Sequence, residues 1–144
     1  MGGPPLPGRL SQTTHGDSND AFARYLVVMI LESETRPWGS WHVIDVADGY
    51  KIKRIHVNPG CRLSLQTHKY RSEHWVIVFG IATATIDGVI STAGPGDSID
   101  VPKGAQHRLA NEGNEELVIV EVQHGAYTGE DDIVRLEDDF GRHC

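Results

Sequence analysis

The sequence predicts an all-β sandwich or barrel in a single domain, and three observations point there. The chain has 144 residues, a length suited to one domain with one core. Its apolar segments are short and rich in β-branched residues. Gly, Pro and Asp turns break them about every 8–12 residues, the spacing of all-β folds.

In chain order, residues 1–20 (MGGPPLPGRLSQTTHGDSND) are Pro/Gly/Ser/Asp-rich and read as a flexible N-terminal arm, with no apolar signal-peptide core. The folded domain is expected over 21–144. Val27–Leu31 is β-branched and apolar, a first strand, and Phe22–Leu31 as a whole is a spare N-terminal strand. Trp41–Val46 and Tyr50–Val57 flank Asp48-Gly49, a two-residue hairpin signal. Asn58-Pro59-Gly60 ends that strand as a turn. Strands Arg62–Thr67, Trp75–Phe79 and Ile81–Ile86 follow, and Asp87-Gly88 turns the last of these into Val89–Ser91. Gly94-Pro95-Gly96-Asp97 is another turn, before Ser98–Val101, His107–Ala110 and Leu117–Gln123. Only the tail Glu130–Phe140 reads as able to hold a helical turn or two.

Charge narrows the partners. Thirteen Lys+Arg against 20 Asp+Glu give a net charge of −7, which disfavours nucleic acid and anionic membrane surfaces. The acids concentrate in the tail, where Glu130 to Gly141 holds Glu130, Asp131, Asp132, Glu137, Asp138 and Asp139. One small phosphate held by a few cations is therefore compatible with the balance. The longest apolar run, Leu26 to Leu31, is too short for a span of ~20 residues, so a soluble cytoplasmic protein is expected. Cys61 and Cys144 are far apart and show no disulfide framework; Cys61 reads as a small buried strand residue.

Two stretches carry chemistry. PGCRLSLQTHKYRSEHWVIVFG runs Gly60-x5-Gln66-x-His68-x4-Glu73-x6-Gly80, and GDSIDVPKGAQHRLAN runs Gly96-x5-Pro102-x-Gly104-x2-His107-x3-Asn111. Strand alternation puts Gln66 and His68 on one face. Glu73 starts the returning strand after a turn through Lys69–Ser72, and His107 opens a later strand. One amide oxygen, two imidazoles and a carboxylate make a mixed N/O site for one divalent metal, zinc first, with Mn, Co, Ni or Fe as alternatives.

These two motifs resemble the signature pair of the cupin superfamily over about residues 32–142, with Gln66 where the general pattern has His. The resemblance implies a jelly-roll barrel. More narrowly, LSLQTHKYRSEHW, the upstream RPWGSW and the downstream EVQHGAYTGEDDIVRLEDDFGR are similar to the type II mannose-6-phosphate isomerase family, whose own first motif has Gln-x-His. In that family the cupin unit commonly follows a mannose-1-phosphate guanylyltransferase domain, which is absent from this sequence. The resemblance implies interconversion of mannose 6-phosphate and fructose 6-phosphate, and a homodimer. A non-catalytic cupin that binds a sugar phosphate or nucleotide sugar is the alternative, as is a related enzyme acting on another phosphosugar.

Isomerisation needs a Lewis acid, a proton carrier and cations for the phosphate. The metal ligands expected are Gln66, His68, Glu73 and His107. Arg71, two residues before Glu73, shares its parity and by resemblance serves catalysis or substrate binding; His74 has the opposite parity and reads as packing or support. Arg135 and Arg142 match the arginines of the family's C-terminal segment, Arg135 for catalysis and Arg142 for substrate. Asp131 or Asp132 would carry the proton if the tail folds over the barrel mouth. Lys53 and Arg36 are further cations for the substrate. Trp38, Trp41 and Trp75 read as core or dimer contacts.

Overall fold

The computed structural model describes residues 32–138 and residue 144. The arm, the expected strand Val27–Leu31 and Arg142 lie outside the described residues. Eleven strands and no helix occur among the described residues: β1 Ser33–Arg36, β2 Gly39–Ala47, β3 Tyr50–Val57, β4 Leu65–Thr67, β5 Arg71–Phe79, β6 Ala82–Ile86, β7 Val89–Ala93, β8 Ser98–Val101, β9 His107–Ala110, β10 Leu117–Gly125 and β11 Val134–Glu137. They form two antiparallel sheets, β1-β2-β3-β10-β5-β8 and β11-β4-β9-β6-β7. The chain is a small all-β jelly roll.

The turns follow the residues that allow them. Asp87 and Gly88 both take positive φ, 47° and 81°, so the β6–β7 hairpin has the twist of a type I′ turn. At Gly39 a Cβ would stand 1.9 Å from the His56 carbonyl oxygen; only glycine lets β2 start that close to β3.

The barrel interior has two ends. Paired strands β3 and β10 change character at the same level, with Val57 opposite Leu117, Ile55 opposite Ile119, Lys53 opposite Glu121 and Lys51 opposite Gln123. At one end Ile55, Val57, Leu117 and Ile119 pack with Trp41, Val43, Ile77 and Leu109, against the small Ala82 and Ala84 of the other sheet. Each fully buried Leu or Ile contributes roughly 1.5–3 kcal/mol. The apolar end carries the stability. At the other end Lys51, Lys53, Glu121, Gln123, His68, Arg71, Glu73 and His107 are all buried.

Three expectations need correction. The tail forms strand β11 rather than a helical turn, because β4 offers it a ladder, with Val134 opposite Thr67 and Arg135 opposite Gln66. Cys61 and Cys144 form a disulfide across a sequence separation of 83, which chain distance concealed. The strand expected over Arg62–Thr67 is shorter, Leu65–Thr67, with a single bridge from Arg62 to Ala110 before it.

Candidate metal centre and substrate cavity

The site is built where the two sheets meet at the polar end. Strand β5 points Arg71, Glu73 and Trp75 inward, and their burial alternates with half-exposed neighbours. His68 sits between β4 and β5, and His107 opens β9 directly opposite Gln66 on β4. The ligand-capable atoms of His68, Glu73 and His107 lie within 4.8 Å of one another, all three residues buried.

Each imidazole is fixed by its far nitrogen. His68 Nδ1 lies 2.6 Å from the backbone oxygen of Asp132, and His107 Nδ1 lies 3.1 Å from that of Ala105. A carbonyl only accepts, so both Nδ1 atoms donate and both Nε2 atoms present a lone pair in the neutral ring. Those Nε2 atoms face Glu73, at 3.0 Å from Oε2 for His68 and 3.6 Å from Oε1 for His107. Two imidazole lone pairs and a carboxylate converging from buried residues fit a divalent metal. Gln66 lines the same cavity, its Nε2 donating to the Ser64 carbonyl at 3.4 Å.

Electrostatics agree with that donor set. Burial pushes the Glu73 carboxyl up, but the neighbouring His68, His107 and Arg71 outweigh it and hold the group below the usual carboxylate range. Burial, opposed by Glu73, lowers the His107 pKa, which favours a neutral ring. Trp75 Nε1 donates to Glu73 Oε1 at 3.0 Å, and Arg71 Nε donates to Oε2 at 3.0 Å. Arg71 Nη2 stands 3.2 Å from His68 Nε2.

A cavity of about 100 Å³, partly open to solvent, adjoins this cluster. Gln66, Glu73 and His107 line it, with Arg36, Lys53, Arg71 and Arg135 as its cations and Trp38, Trp41 and Trp75 as its aromatic walls. The structure thus brings Arg71, Lys53, Arg36 and Arg135 together. Lys53 Nζ lies 4.0 Å over the Trp41 ring and pairs with Glu130. Arg36 pairs with Glu34 at 2.9 Å, and Arg135 Nε lies 3.8 Å from Asp138 Oδ2. Arg71 Nη1 is buried and has no hydrogen-bond partner among the described residues, and Arg71 itself lines the cavity.

The tail does cross the mouth, since Glu130, Ile133 and Asp138 also line the cavity. The two aspartates expected to carry the proton are not among the lining residues. Asp131 is exposed and accepts from the Tyr127 hydroxyl, and Asp132 spends both oxygens on backbone N–H groups of Lys69 and Tyr70. His74 points away, as its parity requires, and pairs with Asp100. Asn111, the last residue of the second motif, is a structural plug that donates to the carbonyls of Val57 and Glu115 at 2.9 and 2.7 Å.

Sequence reasoning missed Glu121. It lines the cavity, fully buried, and accepts from Gln123 Nε2 at 2.9 Å. Burial first, and the Glu73 charge second, push its pKa up to about 8. The available signal was parity: in LVIVEVQ, Glu121 and Gln123 occupy the same inward positions as Leu117 and Ile119.

Comparison with known proteins places this geometry in context. The sequence model of a family described as "Mannose-6-phosphate isomerase C-terminal" matches residues 27–138. A mannose-1-phosphate guanylyltransferase of Escherichia coli K12 is 50% identical over 107 residues, 74% of this chain and 22% of that protein. The chain thus spans about a fifth of the length of the curated relatives it matches. Among solved structures, a Klebsiella pneumoniae protein with a double-stranded β-helix domain superposes with a TM-score of 0.60 at 20% identity, covering 67% of this chain and 83% of that one. A single-substitution variant of B. subtilis oxalate decarboxylase gives 0.65 at 22% identity, covering 73% and 30%. These two likenesses concern the fold. No helix of the described residues is long and apolar enough to cross a membrane.

Proposed function

The chain belongs to the mannose-6-phosphate isomerase C-terminal family, and from that premise we propose that it is a metal-dependent isomerase interconverting mannose 6-phosphate and fructose 6-phosphate. The observation that carries the reading is the convergence of His68, Glu73 and His107 beside a cavity lined by Arg36, Lys53, Arg71 and Arg135.

Gln66, His68, Glu73 and His107 would hold the ion, with zinc the first candidate before Mn, Co, Ni and Fe. A divalent ion there supplies Lewis-acid polarisation of the sugar carbonyl. Arg71 contributes its unpartnered Nη1 as a donor to the oxygen on which charge develops. Arg36, Lys53 and Arg135 take the phosphate, with Arg142 of the tail as a further candidate. Guanidinium forks suit its oxygens. Glu121 replaces Asp131 and Asp132 as the proton carrier between C1 and C2. Its pKa of about 8 lies close to a working pH near neutrality, where a group both takes and returns a proton efficiently. The reading extends to a homodimer in the cytoplasm.

The test is a coupled assay for fructose 6-phosphate with metal-loaded protein. Turnover above a Gln66→Ala/His68→Ala double variant is expected, and none above that control refutes the activity. A second reading has its own observation, since the curated relative is named for guanylyltransfer and this chain matches a fifth of it. Binding of a sugar phosphate or nucleotide sugar without turnover of any phosphosugar would favour that non-catalytic module.

A further inference from the structure

We propose that Asp132 is a positioning residue that presents His68 to the metal, so that the C-terminal tail is a working part of the metal centre. The inference rests on the metal reading of the site and is independent of the isomerase reading.

His68 needs such help. It lies just past β4, which ends at Thr67, and before β5, which begins at Arg71, so no strand ladder fixes it. One residue 64 positions away supplies what the ladder does not. The Asp132 carbonyl accepts from His68 Nδ1 at 2.6 Å. Its Oδ1 accepts from Lys69 N and its Oδ2 from Tyr70 N, both at 2.9 Å. Three successive residues are thereby clasped by one. Asp132 is itself held, since its N–H donates to the Gly129 carbonyl at 3.2 Å and the chain beyond it pairs Val134 with Thr67.

The two halves of Asp132 do different jobs. The carboxylate locks the 68–70 turn to the tail by satisfying two backbone donors, which places the carbonyl of the same residue against the imidazole. The carbonyl then settles the tautomer of the neutral ring: the proton sits on Nδ1, and Nε2, 3.0 Å from Glu73 Oε2, is left to share a metal ion with that carboxylate. Loss of such an outer partner typically weakens metal affinity by about 10–100-fold. The acidic run that sequence assigned to proton transfer thus acts through a backbone oxygen.

The experiment measures cobalt(II) affinity by competition with a chelator, and the His68 tautomer by long-range proton–nitrogen NMR of the metal-free full chain at alkaline pH. Asp132→Ala is expected to bind cobalt about 10–100-fold more weakly than wild type while keeping its β-sheet circular dichroism, and to lose the single Nδ1–H signature. Asp132→Asn keeps one acceptor oxygen and should fall between the two. Asp131→Asn, altering only an exposed carboxylate, should bind cobalt as wild type does. Wild-type affinity and tautomer in a folded Asp132→Asn protein would overturn the proposal. If Asp132→Ala does not fold, wild-type His68 protonated on Nε2 would overturn it equally. Neither readout involves a sugar. A tighter-binding wild type that turns over no phosphosugar would therefore sink the isomerase reading and leave this one standing.

Discussion

Replacing Glu121 with Gln should remove a pH-dependent stability term whose sign and size follow from its burial. The carboxyl titrates near 4.5 when unfolded and near 8 in the fold, so between those values the folded chain holds a proton that the unfolded chain has released. Below the lower value both states are protonated and the buried neutral acid costs nothing extra. As pH rises, wild type loses about 1.4 kcal/mol per unit relative to the Gln variant, on the order of 5 kcal/mol by the time the folded group ionises. Glu73 is held below its usual range, so its term is constant at neutral and alkaline pH. His107 has a lowered pKa, so its term works the other way, but only near the imidazole range. Taking the difference between the two proteins cancels both. The assay is urea unfolding of metal-free wild type and Glu121→Gln from pH 5 to 9, expressed as the difference in unfolding free energy. A difference that declines up to about pH 8 and then levels is expected. A flat difference would show that Glu121 is ionised in the fold, and its assignment as proton carrier would fall with it.

Other perturbations report on different parts of the account. Reduction, or Cys144→Ser, opens a loop of 83 residues and should cost about 4–5 kcal/mol by chain entropy, read as a lower midpoint in urea and as two reactive thiols after reduction. Gly125→Ala puts a Cβ 2.1 Å from the Tyr70 carbonyl and 3.0 Å from the Arg71 Cα, so it should destabilise by roughly 1–3 kcal/mol and displace Arg71. Its activity should fall even where the protein is fully folded. Arg71→Lys keeps the charge but loses the fork that reaches Glu73 and leaves Nη1 free, so kcat should drop about 100-fold.

Much of the fold was legible because its signals are local. Asp-Gly pairs marked the β2–β3 and β6–β7 hairpins, though not β1–β2, and alternation placed Arg71 and Glu73 on one face and His74 on the other. The four proposed ligands stood out because a strand, a turn and a strand leave few ways to arrange their spacing. What escaped notice depends on partners distant in the chain. The tail reads as polar and weakly helical until β4 gives it a ladder through Gln66 and Thr67. Cys144 carries no sign that it returns to Cys61. Glu121 reads as one polar residue in an apolar strand, and only its pairing opposite Lys53, together with burial, makes it chemistry. In sequence Asp132 offers a carboxylate, whereas its backbone oxygen is what meets the imidazole.

The most direct test of the central claim follows mannose 6-phosphate by proton and phosphorus NMR in deuterium oxide with the metal-loaded chain. Fructose 6-phosphate should appear with solvent deuterium at C1, because a side-chain acid that exchanges with water relays the proton. Mannose 6-phosphate that binds the protein yet stays unconverted and unlabelled would contradict that claim.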